Sequence, residues 1–360
     1  MPAHPPAGAP HVLIIRRRYL GDIVLLGSVL RNLRLHWPDA QLTVLTEEPF
    51  SGILALNPDV TTAIAFPRSA LEWPSFLAAI RRARFTHVLD FDNTEKTALL
   101  TRFTGALLRV CFDRELIKFR YRSLYTRSAK VTNAFYDSHH ITDTYLELLR
   151  LLGVPVATRE VRLVPLAADL ATVAPLLGGL NQKSKIPNRK SKILIHPGSR
   201  SAYRIWPAAR FATVADRLQD ELDAQVFLVA GSAEQALVQE IRGHAKTHLV
   251  ALERALTVGQ FAALLSQFDV FLCHDSGPMH VAAAVGTPVV ALFSGQNATI
   301  WRPLGDRHTL LQTSLPCACF PAGQLPGPCT SDDSYKSYCV RQLTIDQVYA
   351  ATRAALLRRP

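Results

Sequence analysis

The chain has no apolar run of the roughly 18 to 20 residues that a bilayer crossing needs. Its longest candidate, Val281 to Phe293, is interrupted by Thr287 and Pro288, which excludes a spanning helix. Met1 to Pro10 is rich in Pro and Ala and lacks the basic start and apolar core of a secretion signal, so the chain is expected to remain in the cytoplasm. Cysteine is scarce, 6 in 360 residues, which fits a reducing compartment and excludes a disulfide-stapled miniprotein. The dinucleotide fingerprint GxGxxG and the Walker loop GxxxxGK followed by Ser or Thr are both missing. Hydride transfer on a Rossmann site and P-loop ATP hydrolysis therefore lose their main sequence support. No short tandem repeat and no extended low-complexity segment is present.

Acid is also in short supply. Against 40 Lys and Arg there are 29 Asp and Glu, a formal charge of +11 that favours anionic partners such as nucleic acid, an anionic membrane surface or phosphorylated substrates. The excess is uneven: Arg109, Arg114, Lys118, Arg120, Arg122, Arg127 and Lys130 face only Asp113 and Glu115, with Phe112, Phe119, Tyr121 and Tyr125 interleaved. This stretch reads either as a solvated helical or loop face or as a functional basic patch.

What is present is the composition of a packed globular chain, 48% hydrophobic and 19% charged, long enough for two domains with their own cores. His11 to Arg17 reads as a buried strand, closed by Tyr19-Leu20-Gly21-Asp22 and followed by helical spacing that stops at Pro38. Further strands are expected at Gln41 to Thr46, Thr61 to Phe66 and His87 to Phe91, the last after a helical stretch from Trp73 to Arg84. A polar, basic stretch, Gly178 to Lys192, breaks the pattern and reads as a linker or an exposed loop beside it. The alternation then restarts with strands at Ile193 to His196, Gln225 to Ala230, Asp269 to Cys273 and Pro288 to Phe293, a helix over Phe211 to Leu222, and a closing amphipathic helix over Leu343 to Arg358. Strands alternating with helices imply α/β domains with parallel sheets, which bind ligands in the loops after the strand carboxyl ends.

Those loops hold the candidate chemistry. Gly21 allows close backbone approach to a ligand, and partial burial would tune Asp22 toward a useful base, although an Asp there also suits a helix N-cap. His196-Pro197-Gly198-Ser199-Arg200, with Arg204 beyond it, offers amides, a hydroxyl and a cation to a phosphate, yet Pro-Gly-Ser is also a common turn. In Cys273-His274-Asp275-Ser276-Gly277-Pro278-Met279-His280, a strand runs into a small-residue helix whose N-terminal amides form an anion site; Asp275 or Ser276 could equally be a cap. Glu234 sits where a carboxylate could bind ribose hydroxyls or complement a helix dipole.

The segments LGDIVLLGSVLRNLRLHWPDAQLTVLT, HHITDTYLELLRLLGV, IHPGSRSAYRIWPAARFATVA and HDSGPMHVAAAVGTPVVALFS resemble the ADP-heptose:lipopolysaccharide heptosyltransferases, the family 9 glycosyltransferases. The resemblance implies a GT-B fold, two Rossmann-like parallel-sheet domains facing a central cleft. It assigns an N-terminal acceptor-binding domain to residues 11–165, a linker to 166–192, a nucleotide-sugar donor domain to 193–342, and a final helix, 343–360, packing back toward the first domain. It also implies an inverting transfer of heptose, or a related sugar, from ADP-heptose to a lipopolysaccharide core or similar anionic glycolipid. Asp22 matches the family's general base. Arg204, Glu234, Asp275, Ser276, Gly277 and His280 match the donor site; Gly198 and Ser199 are further donor-binding candidates from the loop after their strand, and Gly21, Arg120 and Arg122 are the acceptor-binding candidates. No metal or other cofactor is implied, and no nucleic acid. The basic patch would hold a lipid-linked acceptor, with peripheral contact at the cytoplasmic face of the inner membrane.

Several features point elsewhere. Asp90-Phe91-Asp92 resembles a DxD metal site, and Asn93-Thr94-Glu95-Lys96 departs from the family pattern, which leaves the acceptor open. Cys317, Cys319, Cys329 and Cys339 could supply zinc thiolates but lack the usual CxxC pairing, so free thiols remain the default. The alternatives to a transferase are a GT-B-fold nucleotide-sugar epimerase and a basic nucleic-acid-binding protein.

Overall fold

The computed structural model describes residues 9–178, 190–200, 204–294, 297–313 and 340–358. The chain divides into two compact units, Met1–Val164 and Pro165–Pro360. Gly178 to Lys192, for the most part, and the four-cysteine segment Cys317 to Cys339 lie outside the described residues. Cys111 and Cys273 are buried free thiols. No helix among the described residues is long and apolar enough to cross a membrane.

The first unit is built on β1 (His11–Ile15), β2 (Gln41–Thr46), β3 (Thr62–Ala65), β4 (His87–Asp90), β5 (Leu108–Arg114) and β6 (Arg127–Val131), all parallel in the order β3-β2-β1-β4-β5-β6. Central β1 is apolar after His11, and Val12, Leu13, Ile14 and Ile15 are fully buried, as a parallel strand covered on both faces requires. Fixing each such side chain in the core contributes about 1.5–3 kcal/mol. Parallel pairing sets Ile15 opposite both Leu45 and Asp90, so the segments after β1 and β4 emerge side by side.

The stretch Arg109 to Lys130, read either as a solvated helical or loop face or as a functional basic patch, holds most of β5 and β6. Charges on outer strands disguised them: β6 is an edge strand and alternates exposed and buried residues. The aromatics of the connecting loop turn inward, with Phe119, Tyr121 and Leu124 packed against buried Ala98, Cys111 and Tyr125. They therefore do not form an open platform on which nucleic-acid bases could stack.

The second unit repeats the plan with β7 (Lys192–His196), β8 (Gln225–Val229), β9 (Val250–Leu252), β10 (Val270–His274), β11 (Val289–Leu292) and β12 (Thr309–Leu311), parallel in the order β12-β11-β10-β7-β8-β9. The short edge strands β9 and β12 carry too little apolar sequence to be read in advance. Cys273 lies opposite His196, which again brings two loops together.

One boundary expectation changes. Residues 167–178, assigned to the linker, form the helix Ala167–Gly178, because Leu170, Val173 and Leu177 recur at helical spacing; it belongs to the second unit and packs against the helix Val258–Leu265. The closing helix Ile345–Leu357 buries Val348, Tyr349, Ala355 and Leu356 in the core of the second unit, beside Val214 and Leu218. Its entry is fixed by Trp206, whose indole N–H donates to the Leu343 carbonyl at 3.0 Å, and by a Thr344/Gln347 capping box.

In the first unit, buried Asn32 ties the helix Gly27–His36 to the irregular segment at residues 157–158. Its Oδ1 accepts the Ala157 and Thr158 amides at 2.7 and 3.1 Å, while its Nδ2 donates to the Ser28 and Thr158 carbonyls, both at 2.7 Å. Asn32→Ala removes the acceptor of two part-buried amides and the donor to the Thr158 carbonyl. We expect a loss of about 2–4 kcal/mol in urea unfolding; a loss below 0.5 kcal/mol, on the order of an ordinary surface change, would show that water replaces the side chain.

Candidate active site

Strand order reverses between β1 and β4, and the loops there diverge around a crevice, the position at which open α/β sheets bind ligands. The helix Leu20–Leu25 starts at this point. Asp22 is in its first turn and is buried. It is not the N-cap residue, which is Tyr19, but its Oδ2 accepts the Tyr19 amide at 3.2 Å, so part of the capping role is real. Oδ1 accepts from Arg16 Nη2 and from the Tyr145 hydroxyl, the latter at 2.7 Å. Gly21, beside it, is buried as well.

Arg16 is the first residue beyond β1, and it binds both sides of the reversal. Its Nη1 donates to the Phe91 carbonyl at 2.9 Å and lies 3.4 Å from Asp92 Oδ1. Burial pulls the guanidinium toward neutrality, but Tyr145, Asp22 and Asp92 override it and move the pKa up, so Arg16 stays charged. Burial pushes Asp92 up to about 6 against Arg16 and the Arg17 amide, which donates to Asp92 Oδ2 at 2.8 Å. Asp90 is completely buried and its pKa is raised by burial, although it accepts from the Tyr125 hydroxyl at 2.7 Å and from the Asp92 and Asn93 amides at 2.9 and 3.0 Å. Both carboxylates of the DxD-like pair are thus engaged by protein donors and shape the β4 loop. Arg120 and Arg122 are exposed on the β5–β6 connection. No bond joins them to the Asp22 cluster among the described residues.

In the second unit the reversal falls between β7 and β10. His274 joins the two loops: the Trp206 amide donates to its Nε2 at 3.0 Å, and Nδ1 lies 3.3 Å from the Gly198 carbonyl. Because Nε2 must accept, Nδ1 carries the hydrogen and donates to Gly198. Burial lowers the pKa of His274 to about 3, so this link is neutral. Asp275 follows, 6% exposed, with Arg204 Nη1 3.8 Å from its Oδ2. Neither carboxylate oxygen makes a well-formed hydrogen bond among the described residues, and the Ser294 hydroxyl and the Asp275 amide give the group only weak support. Burial, opposed by Arg204, pushes Asp275 up to about 7.

Ser276 occupies the N-cap of the helix Gly277–Ala284 without its side chain capping an amide, and His280 is buried one turn on. Ser199 is half-buried between Gly198 and the undescribed residues 201–203. Glu234, after β8, accepts the Gly231 amide at 2.9 Å and approaches His196 Nε2 to 3.6 Å. Burial lowers the pKa of His196 despite Glu234, leaving the imidazole neutral. The Glu234 carboxylate also lies over Gly198, where a Cβ would stand 2.0 Å from its Oε1. The structure therefore gathers Gly198, Arg204, Glu234, Asp275, Ser276 and Gly277 around one end of one sheet. Arg16, Tyr145, Asp92, His196 and His274 belong to the two clusters and were not singled out as site residues from sequence.

A profile of glycosyltransferase family 9 (heptosyltransferase) matches residues 73–324, well over half of the chain. The chain belongs to this family. Lipopolysaccharide heptosyltransferase 3 of Escherichia coli is 24% identical over 299 residues, spanning 79% of this chain and 84% of that protein. Lipopolysaccharide heptosyltransferase 2 of Escherichia coli (strain K12) is 24% identical over 311 residues, spanning 84% and 87%. Among solved structures, a family 9 glycosyl transferase from Veillonella parvula DSM 2008 superimposes with a TM-score of 0.80 at 20% identity over 98% of both chains. The E. coli ADP-heptose lps heptosyltransferase II does so with a TM-score of 0.76 at 20% identity, over 97% of this chain and 99% of that one. These likenesses identify the two six-stranded parallel sheets as the GT-B fold. The protein is accordingly a family 9 glycosyltransferase.

The Asp275 carboxyl gives this glycosyltransferase a signature in its stability. An unfolded aspartate loses its proton near pH 4, whereas the folded group holds it to about pH 7, so folding takes up a proton between those values. The resulting penalty grows with pH across that window and is complete above it. Asp275→Asn should therefore stabilise the second unit more at pH 8 than at pH 5, by about 1–3 kcal/mol in urea titrations. An equal effect at both pH values would show that Asp275 ionises as an ordinary surface acid does.

Proposed function

We propose that the protein is an inverting heptosyltransferase that moves heptose, or a closely related sugar, from ADP-heptose to a lipopolysaccharide core or similar anionic glycolipid. The observation that carries this reading is the buried Asp22 carboxylate at the β1–β4 reversal, held by Arg16 and Tyr145 with Oδ2 bonded, among the described residues, only to the longer Tyr19 amide. Family membership and the named heptosyltransferase relatives supply the sugar and acceptor class.

In this reading the first unit carries the base and the acceptor, and the second binds the donor. Asp22 takes the proton of an acceptor hydroxyl, whose oxygen forms a bond to the anomeric carbon as the bond from that carbon to the diphosphate oxygen breaks and ADP leaves. The attack comes from the face opposite ADP, which inverts the anomeric centre. Amides of the Gly277–Ala284 N-terminus and the Arg204 guanidinium stabilise the charge that develops on the diphosphate. Gly198 and Ser199 border the same site, Asp275 and His280 orient the sugar and diphosphate, and Glu234 meets the ribose after turning from Gly198. Exposed Arg120 and Arg122 engage acceptor phosphates, and the basic loop that bears them makes peripheral contact with the anionic inner-membrane surface while the protein stays cytoplasmic.

The test is transfer itself. Incubated with ADP-heptose and lipopolysaccharide cores, the protein should extend the core by one sugar; release of an altered free sugar without acceptor would point to an epimerase. Sequence-selective DNA binding without transfer would point to the nucleic-acid reading, which the inward-turned aromatics of the β5–β6 loop disfavour. Asp22→Asn should lower kcat by about 10²–10⁴-fold, the contribution of a positioned base, while ADP affinity measured by calorimetry stays within twofold, on the order of experimental scatter. Retained turnover would remove Asp22 from the chemistry.

A further inference from the structure

A carboxylate acting as a base has two oxygens, and only a lone pair aimed at the substrate hydroxyl is useful. The surroundings of Asp22 treat those oxygens unequally. Oδ1 accepts two strong donors, Arg16 Nη2 and the Tyr145 hydroxyl at 2.7 Å, which fill its lone-pair sites. Oδ2 accepts one longer bond, from the Tyr19 amide at 3.2 Å, and keeps a lone pair.

Tyr145 comes from the helix Ile141–Leu152, 123 positions further along the chain, and is fixed independently of Asp22. Its helix begins at His140, whose side chain accepts the Thr142 amide, and packs Ile141, Leu148 and Leu149 into the core. The ring meets Phe91 edge-on at 5.4 Å, and the Arg16 guanidinium lies 5.7 Å from its centroid. The phenol is 2% exposed, and burial raises its pKa far above the ordinary tyrosine value, so it donates and does not ionise. Phe91 itself accepts Arg16 through its carbonyl, so one contact network fixes both donors to Oδ1.

We infer that Tyr145 is a positioning residue for glycosyl transfer: with Arg16 it clamps Oδ1 of Asp22 and so reserves Oδ2 for the acceptor proton. This rests on Asp22 being the base. The ring alone would satisfy a packing role, whereas the clamp needs the hydroxyl, and Tyr145→Phe separates the two. Tyr145→Phe removes one donor to the ionised carboxylate and keeps the packing. It should lower kcat about tenfold, the worth of one hydrogen bond to a charged group, with KM for donor and acceptor within about twofold. Losing that donor favours the protonated carboxyl, so the acid limb of the kcat profile should move to higher pH.

Tyr349→Phe serves as the control. It removes a hydroxyl that donates to Glu221 at 2.6 Å in the second unit, and it should leave the pH profile in place. Should Tyr145→Phe fail to fold, Arg16→Lys carries the same test, since a lysine cannot bond Asp22 and the Phe91 carbonyl with one forked group. A wild-type pH profile in the folded Tyr145→Phe enzyme, with Asp22→Asn inactive, would overturn the clamp and leave the base intact. Full turnover by Asp22→Asn would overturn both.

Discussion

The arrangement of both units follows from a reversal in strand order. A chain that adds strands first on one side of β1 and then on the other must send the segments after β1 and β4 in diverging directions; β7 and β10 impose the same on the second unit. The backbone between the diverging loops cannot pair with itself, so side chains and helix ends fill the gap. At one reversal stand Arg16, Asp22, Asp90 and Asp92. At the other stand His196, Gly198, His274 and Asp275.

The two reversals handle buried charge differently. In the first unit a guanidinium lies between two acids, Asp22 and Asp92, and every partner is bonded again to a backbone group or a phenol. Removing ions from water costs more than a loose pair regains, so burial of this kind persists only where most polar atoms are bonded; Arg16 Nε is left without a partner among the described residues. The second unit uses neutral imidazoles to join its loops and keeps one poorly matched acid. Protonation of Asp275 near neutrality is the physical answer to that mismatch. The first reversal thus holds its carboxylate between charged and phenolic donors, whereas the second holds an acid that burial keeps protonated to about neutral pH.

The legible parts of the sequence were those governed by local chemistry. HVLII and VFLC read as short buried strands, and the Gly-Asp a few residues after the first and the Asp-Ser-Gly-Pro at the end of the second mark a strand end opening into a helix. Such patterns led to Asp22 and Asp275. Arg16 was harder to see, because one arginine in a run of three shows no sign of which will turn inward. Tyr145 was hidden altogether, since in ITDTYLELL it falls on the apolar face with Ile141, Leu148 and Leu149 and reads as core. Its polar tip acquires meaning only when a distant carboxylate meets it. The charged strands β5 and β6 escaped notice because their core-facing residues are few and their outward residues dominate the pattern.

The contact between Glu234 and Gly198 has an evolutionary consequence. The acid fills the volume that any side chain at 198 would need, so drift at the two positions is not independent. A lineage that enlarges residue 198 must first shorten or redirect residue 234, and one that loses the acid opens the loop after β7 to larger residues. Relatives should therefore vary at these sites as a pair, and the bulk at one position should report which acid geometry the other has kept.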